Sequence, residues 1–263
     1  MNRLIQFIKI WKKSAVIALQ DAMAYKLSFF LQMFGLFIGD TIIPLVSALI
    51  YKVSSGIPGW SLYEFVLFQG TLIIVIGFWH TLFAGLLGET IVAVKEGTFD
   101  KFLLKPLSSL AYVTSKGFDL EGIGEILAGI AVVTFALIKL KLFSLLLLPY
   151  LFLIILGILF EYALTIIAAS LAFIFVKTWR LFEFISSIER FGRYPLGIYN
   201  DFLRIMLTFF IPVAAASYYP ASVLLEKEVL LKIPLITIPV IIFFTVSIFL
   251  WNFAMKKYSS AGG

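Results

Sequence analysis

Long uninterrupted apolar runs, separated by short stretches that gather most of the charge, set the pattern of this chain. A helix of about 20 apolar residues crosses a bilayer. Six runs reach that length: 27–51 with the single charge Asp40, 65–88 with none, 120–138 with Glu121 and Glu125, 142–176 with only Glu161, 202–225 with none after Arg204, and 233–255 with none. The 35-residue fourth run would be about 52 Å long as one helix, against a hydrocarbon layer of ~30 Å. It is expected to tilt, to kink near Pro149 or Gly157, or to run past the membrane. The pattern predicts an all-α membrane protein, a single transmembrane domain over 1–263 with six transmembrane helices.

Two polar-flanked stretches predict helices that do not cross. In residues 1–24, Leu4, Ile8, Trp11, Ala15, Leu19 and Met23 recur at helical spacing with Lys9, Lys12, Lys13 and Asp21 off that stripe, the pattern of an amphipathic helix in the headgroup layer. In residues 177–199, Glu183, Glu189, Arg190 and Arg193 would be costly in the bilayer centre. That stretch is placed as a cytoplasmic or interfacial helix turning at Gly192 to Pro195, with the fifth span starting near Phe202. A competing arrangement makes 179–199 part of the fifth span and 205–225 a helix pair that dips in and returns, tolerable only where protein or a cavity lines it.

Charge then fixes an expected orientation, because cytoplasmic loops retain Lys and Arg. The N-terminal stretch, 89–119, 177–204 and the C-terminal stretch hold sixteen of them, and the alternate set of loops holds five, Lys52, Lys139, Lys141, Lys227 and Lys232. Both termini are expected on the cytoplasmic side. No secretory leader is visible, since Arg3, Lys9, Lys12, Lys13 and Lys26 are spread along the first 26 residues, so the N-terminus is expected to belong to the mature chain.

Composition agrees: 62% of residues are apolar and 14% charged, with 28 Phe, far from the balance of a soluble domain. Absent motifs remove function classes. No Gly-rich phosphate cradle ending in Gly-Lys-Ser/Thr occurs, so this chain is expected not to hydrolyse ATP, to bind no cofactor and not to be an enzyme. Cysteine is absent and His80 is the only histidine, which leaves no thiolate or multi-histidine metal site; His80 is expected to hydrogen-bond between helices. No Gly-x-Ser-x-Gly occurs, which argues against a serine hydrolase, and basic residues lie over four loops among acids, which argues against a nucleic-acid surface.

Ionisable residues inside spans carry a functional hypothesis by default. Asp40 and Glu161 lie midway along their runs and either line a polar or proton-coupled pathway or hydrogen-bond to neighbouring helices. Glu121 and Glu125, one turn apart, are expected at a span end facing headgroups or loop lysines. Gly35 and Gly39 could admit a second helix close to the first span. Phe78, Trp79, Phe209, Phe210, Tyr218 and Tyr219 line a greasy path or face lipid.

Residues 94–109, VKEGTFDKFLLKPLSS, interrupt the apolar pattern with charge, Gly97 and Pro106. As a helix of about two turns bounded by those residues, the segment puts Phe99, Phe102 and Leu103 on one face, flanked by Asp100, Lys101 and Lys105. Such a face either lies on headgroups or inserts into a partner's groove. The run Glu96 to Leu107 resembles the loop between the second and third spans of membrane subunits of type 2 exporter-class ATP-binding-cassette transporters, in a six-span bacterial branch. Residues 193–199, RYPLGIY, followed by Ile211-Pro212-Val213 and Tyr219-Pro220-Ala221, resemble the fifth-span region of that branch. Lys105 stands where that branch leads one to expect Arg.

The resemblance implies a permease subunit in the cytoplasmic membrane, whose 97–106 segment is a coupling helix docking on a cytoplasmic ATPase dimer. ATP and Mg would be bound there, and a second permease, identical or related, would complete the path. It implies docking by Gly97, Phe99, Asp100, Lys101, Phe102, Leu103, Lys105 and Pro106. It also implies an outward gate around Pro212, Tyr218, Tyr219 and Pro220, while Asp40 and Glu161 are pathway candidates from their place inside spans. A membrane-embedded lipid-modifying enzyme using the carboxylates as acid and base, and a scaffold associating through Gly35 and Gly39, are the alternatives.

Overall fold

A computed structural model describes residues 3–142, 144–175 and 179–258. Phe143 and Val176 of the fourth predicted run, Lys177 of the loop after it, and the extreme ends of the 1–263 domain lie outside them. The described residues are helical, with no strand among them. Twelve α-helices follow in order: α1 (Arg3–Ala24), α2 (Lys26–Val53), α3 (Leu62–Phe83), α4 (Gly85–Lys95), α5 (Asp100–Leu103), α6 (Ser109–Ser115), α7 (Ile123–Leu140), α8 (Leu147–Ala172), α9 (Trp179–Glu189), α10 (Asp201–Ile205), α11 (Tyr218–Leu224) and α12 (Ile233–Met255). Five stretches of the described residues are long and apolar enough to cross a membrane: Lys26–Val53, Leu62–Lys95, Leu120–Leu140, Leu147–Ala172 and Leu230–Met255.

The central pair is α3 and α7, drawn together by glycines seven residues apart on each helix: Gly70 and Gly77 on α3, and Gly122 and Gly129 around α7. A Cβ on Gly77 would lie 2.7 Å from the Ile126 nitrogen, and one on Gly129 2.7 Å from the Ile74 nitrogen, so only glycine permits this approach. α2 closes on the other side of α7, with Gly124 against the Met33 carbonyl. Gly35 and Gly39, the pair singled out in the sequence, have nothing within 4 Å and carry no close packing in this chain. α8 packs between α3 and α12. The outer faces of α2 and α12 leave Leu27, Phe34, Leu45, Ile238 and Phe249 exposed, as lipid-facing positions require.

The overlong helix is not where the pattern placed it. α8 has 26 residues, about 39 Å, and its Pro149 sits in the first turn, where a missing N–H breaks no bond. The excess length belongs to the 34-residue stretch Leu62–Lys95, because α4 follows α3 after Ala84, whose backbone stays helical. α4, α6 and the C-terminal turn of α12 meet at one end of the bundle, where the Trp251 Nε1–H donates to Ser109 Oγ (3.3 Å), and α1 packs there through Trp11 on Phe118. We call this the termini end. On α1 the predicted stripe is divided: Trp11, Ala15 and Met23 turn inward, while Ile8 and Leu19 are exposed.

The predicted span 202–225 is not one helix. α10 runs into a π-helical turn, Met206–Phe210, that stops before Pro212, whose ring and missing N–H cannot continue it. A 3-10 turn, Val213–Ala216, then reverses the chain into α11. The reversal is buried: Gly157 of α8 lies against Ala215 and Ala216, and the Ser217 hydroxyl donates to the Gly192 carbonyl (2.6 Å). Its exit returns to the end opposite the termini, where Lys227 pairs with Glu64 (3.0 Å) and donates to the Gly59 carbonyl (2.8 Å). α9, in the stretch expected to be a cytoplasmic or interfacial helix, packs along α8 and buries Leu181, Ile185 and Ile188, one helical face.

Candidate functional site

At the termini end, Gly97 stops α4. Its φ of +65° is open to glycine at little cost, the Gly97 N–H donates to the Val94 carbonyl (3.2 Å) and the Thr98 N–H to the Ala93 carbonyl (2.8 Å). That pair of bonds is the Schellman closure of a helix. The chain then makes the single turn α5 and a bend at Pro106, before Ser108 caps α6 by accepting from the Ala111 N–H (3.3 Å).

The side chains of this turn divide differently from the expectation. Phe99 is 0% and Phe102 2% exposed, because both rings point into the chain's own core. Phe99 packs on Phe173 at the end of α8 (centroids 4.8 Å apart), on Trp251 of α12 (6.1 Å) and on Tyr258 (5.5 Å); Phe102 packs on Tyr112 (5.8 Å). The predicted docking face therefore loses its two aromatic members, which a small helix with a core beside it buries there rather than in a partner. Leu103, Lys101, Lys105 and Pro106 remain exposed, Asp100 is half-buried, and Leu104, not singled out before, is 85% exposed. The Lys101 ammonium lies 5.5 Å from the Phe102 ring centre and that of Lys105 5.6 Å from Tyr112, so the exposed rim is cationic.

A second polar assembly lies among the spans. His80 of α3 bridges Glu125 of α7 (Nδ1 to Oε1, 3.0 Å) and Asp119 just before it (Nε2 to Oδ2, 3.3 Å). Glu125 thus meets His80 rather than headgroups, while Glu121 lines a surface cleft against α1. The hydrogen bond from His80 holds the Asp119 carboxyl below the usual carboxylate range, against burial, which pushes it up. Glu161 is 0% exposed, and neither of its oxygens has a hydrogen-bond partner. It sits about 21 Å from the far end of α8, well inside the span. Glu189, at the end of α9, interacts with it electrostatically. Trp79 closes this region, its Nε1–H donating to Thr165 Oγ1 (2.7 Å).

Asp40, on α2, lies within electrostatic reach of Glu125, His80 and Arg193. It lines a small cavity of about 50 Å³ with Gln69 and Arg193, and Pro44 four residues on leaves the Asp40 carbonyl without its helical donor. Gln69 Nε2 donates to Ser47 Oγ (2.8 Å), tying α3 to α2. At the end opposite the termini, Pro212 and Pro220 are buried within the reversal, and Tyr218 and Tyr219 line a cleft of about 480 Å³ with Asp201, Arg204, Thr208 and Lys232. The Tyr218 hydroxyl donates to Glu228 Oε1 (3.4 Å). The predicted site residues therefore fall into three regions, the 97–106 turn, the polar groups among the spans with Asp40 and Glu161, and the reversal with its cleft.

Glu189, a charge costly in the bilayer centre, is brought near Glu161, a placement that the local pattern of α9 does not predict. The signal available for α9 was its apolar face, Leu181, Ile185 and Ile188. Among the described residues, no group of His, Asp or Glu side chains is arranged to hold a metal ion. A family model described as ABC-2 family transporter protein matches residues 37–262. No curated protein and no solved structure matches the chain.

Proposed function

The chain belongs to the ABC-2 transporter family, and we propose that it is the permease subunit of an exporter driven by separate ATPase subunits. Membership makes it a multi-pass membrane component of a transporter, with no ATPase of its own, that partners an ABC ATPase. The proposal adds direction, arrangement and docking. Two permeases, identical or related, stand beside a cytoplasmic ATPase dimer that binds ATP and Mg, in the cytoplasmic membrane with its lipid. The termini end lies in the cytoplasm, as the sixteen-to-five distribution of Lys and Arg favours.

One observation carries the reading: the 97–106 turn has its roots in the core and its tip in solvent. Phe99 ties the turn to the ends of α8 and α12 through Phe173 and Trp251, so displacement of the tip moves two spans together. Leu103, Leu104 and Pro106, rimmed by Lys101 and Lys105, form the docking tip, and Phe99 and Phe102 are its anchor. A groove on the ATPase with an apolar floor and acidic edges is its complement. ATP-driven closure of the ATPase dimer then shifts the tip and biases the permease between two arrangements.

Six crossings result when α9 and the turns through residue 199 make the fifth, and residues 201–225 make a re-entrant pair lined by protein. The pair is the outer gate, with Pro212 and Pro220 holding its bends and Tyr218 and Tyr219 facing the cleft. Asp40 and Glu161 belong to the path between. The test is co-purification in mild detergent of an ATPase with wild type and with Leu103→Asp/Leu104→Asp. Recovery with wild type and loss from the monodisperse double variant is the expected result. Equal recovery from both overturns the docking tip, and no ATPase even after crosslinking overturns the permease reading.

A further inference from the structure

α1 packs on α6, on α2 and on the turn that opens α7, so it is fastened where two spans begin. At its C-terminal end Tyr25 leaves helical geometry (φ −116°, ψ 49°), and the next residue, Lys26, opens the span of α2. Along its length Trp11 packs on Phe118 (ring centroids 4.9 Å apart), just before the span Leu120–Leu140. A helix tied to the starts of two neighbouring spans lies at the depth where the hydrocarbon begins, in the headgroup layer.

With Trp11 and Ala15 turned inward, the outer face of α1 differs from the predicted stripe. Ile5, Ile8, Val16 and Leu19 are exposed, and so are Lys9, Lys12 and Lys13. At about 100° per residue all seven fall within about 140° of the helical wheel, so apolar and cationic side chains are mixed over one surface. In water the four apolar side chains are uncovered, and in hydrocarbon three ammonium groups are costly. Only the boundary between the two suits both, with the apolar groups among the tops of the acyl chains and the lysines reaching out to headgroups. Those ammonium groups meet no anion of this chain. Among the described residues Lys9, Lys12 and Lys13 form no ion pair. The acids near α1, Asp21, Glu89, Asp119 and Glu121, line the cleft on its opposite side, together with Lys116.

We propose that the outer face of α1 is a binding surface for the headgroups of anionic phospholipids. Charge complementarity selects that occupant. A zwitterionic leaflet offers no net charge to three unpaired ammonium groups, and a soluble anion leaves Ile5, Ile8, Val16 and Leu19 uncovered. Lipid held there also steadies α6, the helix that follows the 97–106 turn and against which α1 packs. No ATPase is needed for this binding, so it and the permease reading above can fail separately.

The chain has no cysteine, so a single introduced one takes a label cleanly. A fluorophore on Val16→Cys, in the full chain in phosphatidylcholine nanodiscs, is titrated with phosphatidylglycerol or phosphatidylcholine carrying a quencher high on one acyl chain. Phosphatidylglycerol is expected to reach half-quenching at a mole fraction at least about fivefold lower than phosphatidylcholine. The difference should vanish in the triple variant Lys9→Gln/Lys12→Gln/Lys13→Gln and shrink in about 0.5 M salt. A fluorophore on Phe249→Cys, on the exposed face of α12, should be quenched alike by the two lipids. Equal quenching at Val16→Cys, or a preference that persists in the monodisperse triple variant, overturns the proposal. So does a preference of the same size at Phe249→Cys, which reports anionic lipid gathered around the whole chain. Quenching by neither lipid at Val16→Cys overturns it too, because protein then covers the face.

Discussion

The turn at 97–106 and the reversal at 201–225 are both proline-punctuated interruptions between apolar helices, yet they are built in opposite senses. The first sends two rings inward and keeps Leu103 and Leu104 in solvent; the second buries Pro212, Ala214, Ala215, Ala216 and Pro220 and sends its exit to the opposite end. In the permease reading proposed above the exposed leucines of the tip meet an ATPase surface, whereas a reversal enclosed by α8 and α3 already has its packing partners within the chain. The same punctuation thus makes an exposed tip at one end and an enclosed reversal at the other, which the proposed function reads as a handle and a plug.

The sharpest way to break this contrast is at the root of the handle. Phe99→Ala should destabilise the chain by about 3–5 kcal/mol, as truncating a fully buried ring does. Leu104→Ala, five residues on, should leave the thermal midpoint in detergent unchanged. If Phe99→Ala also leaves it unchanged, the anchor does not exist. For the plug, Gly157→Ala puts a Cβ 2.9 Å from the Ala215 carbonyl oxygen and from the Ala216 Cα. A loss of about 1–3 kcal/mol is expected from this overpacking, read as a lowered midpoint and as new proteolysis within 201–225.

Where the plug emerges, Lys227→Met removes the pair with Glu64 and the bond to the Gly59 carbonyl. About 1 kcal/mol is expected for so partly exposed a pair, and a change confined to thermal stability would separate it from gating. The smallest effect concerns Asp119. Its folded carboxyl is held low by His80, so its stabilising contribution is present above the unfolded carboxylate value and is lost as pH falls through the lower folded one. Asp119→Asn should flatten the acid limb of a pH–midpoint curve, and an unaltered limb would show that the His80 contact contributes nothing.

Much of this was legible in the residues because the bilayer is a demanding solvent. Runs such as 233–255, with no charge in more than twenty residues, have one stable form there, and α12 spans Ile233–Met255. Gly97 and Pro106 mark the ends of the turn for local backbone reasons, and both act as local chemistry dictates. What periodicity could not supply is which face of a two-turn helix meets which surface. Phe99, Phe102 and Leu103 share a face on a wheel, but only the ends of α8 and α12 beside them determine that the rings are taken inward and that Leu104 is left out.

The same limit governs the polar assembly among the spans and the plug. The sequence by itself determined the all-helical membrane class, the absence of an ATPase motif, and the polar interruption at 94–109, since each depends on composition or on a few adjacent residues. Tertiary structure alone decided that Gly77 and Gly129, not Gly35 and Gly39, bring helices together. It also decided that 202–225 turns back, and that Glu189 is carried to Glu161 along α8. A charge is costly in lipid only when nothing receives it, and whether an assembly with His80, Trp79 and other carboxylates waits at that depth is a property of packed helices, not of any one of them.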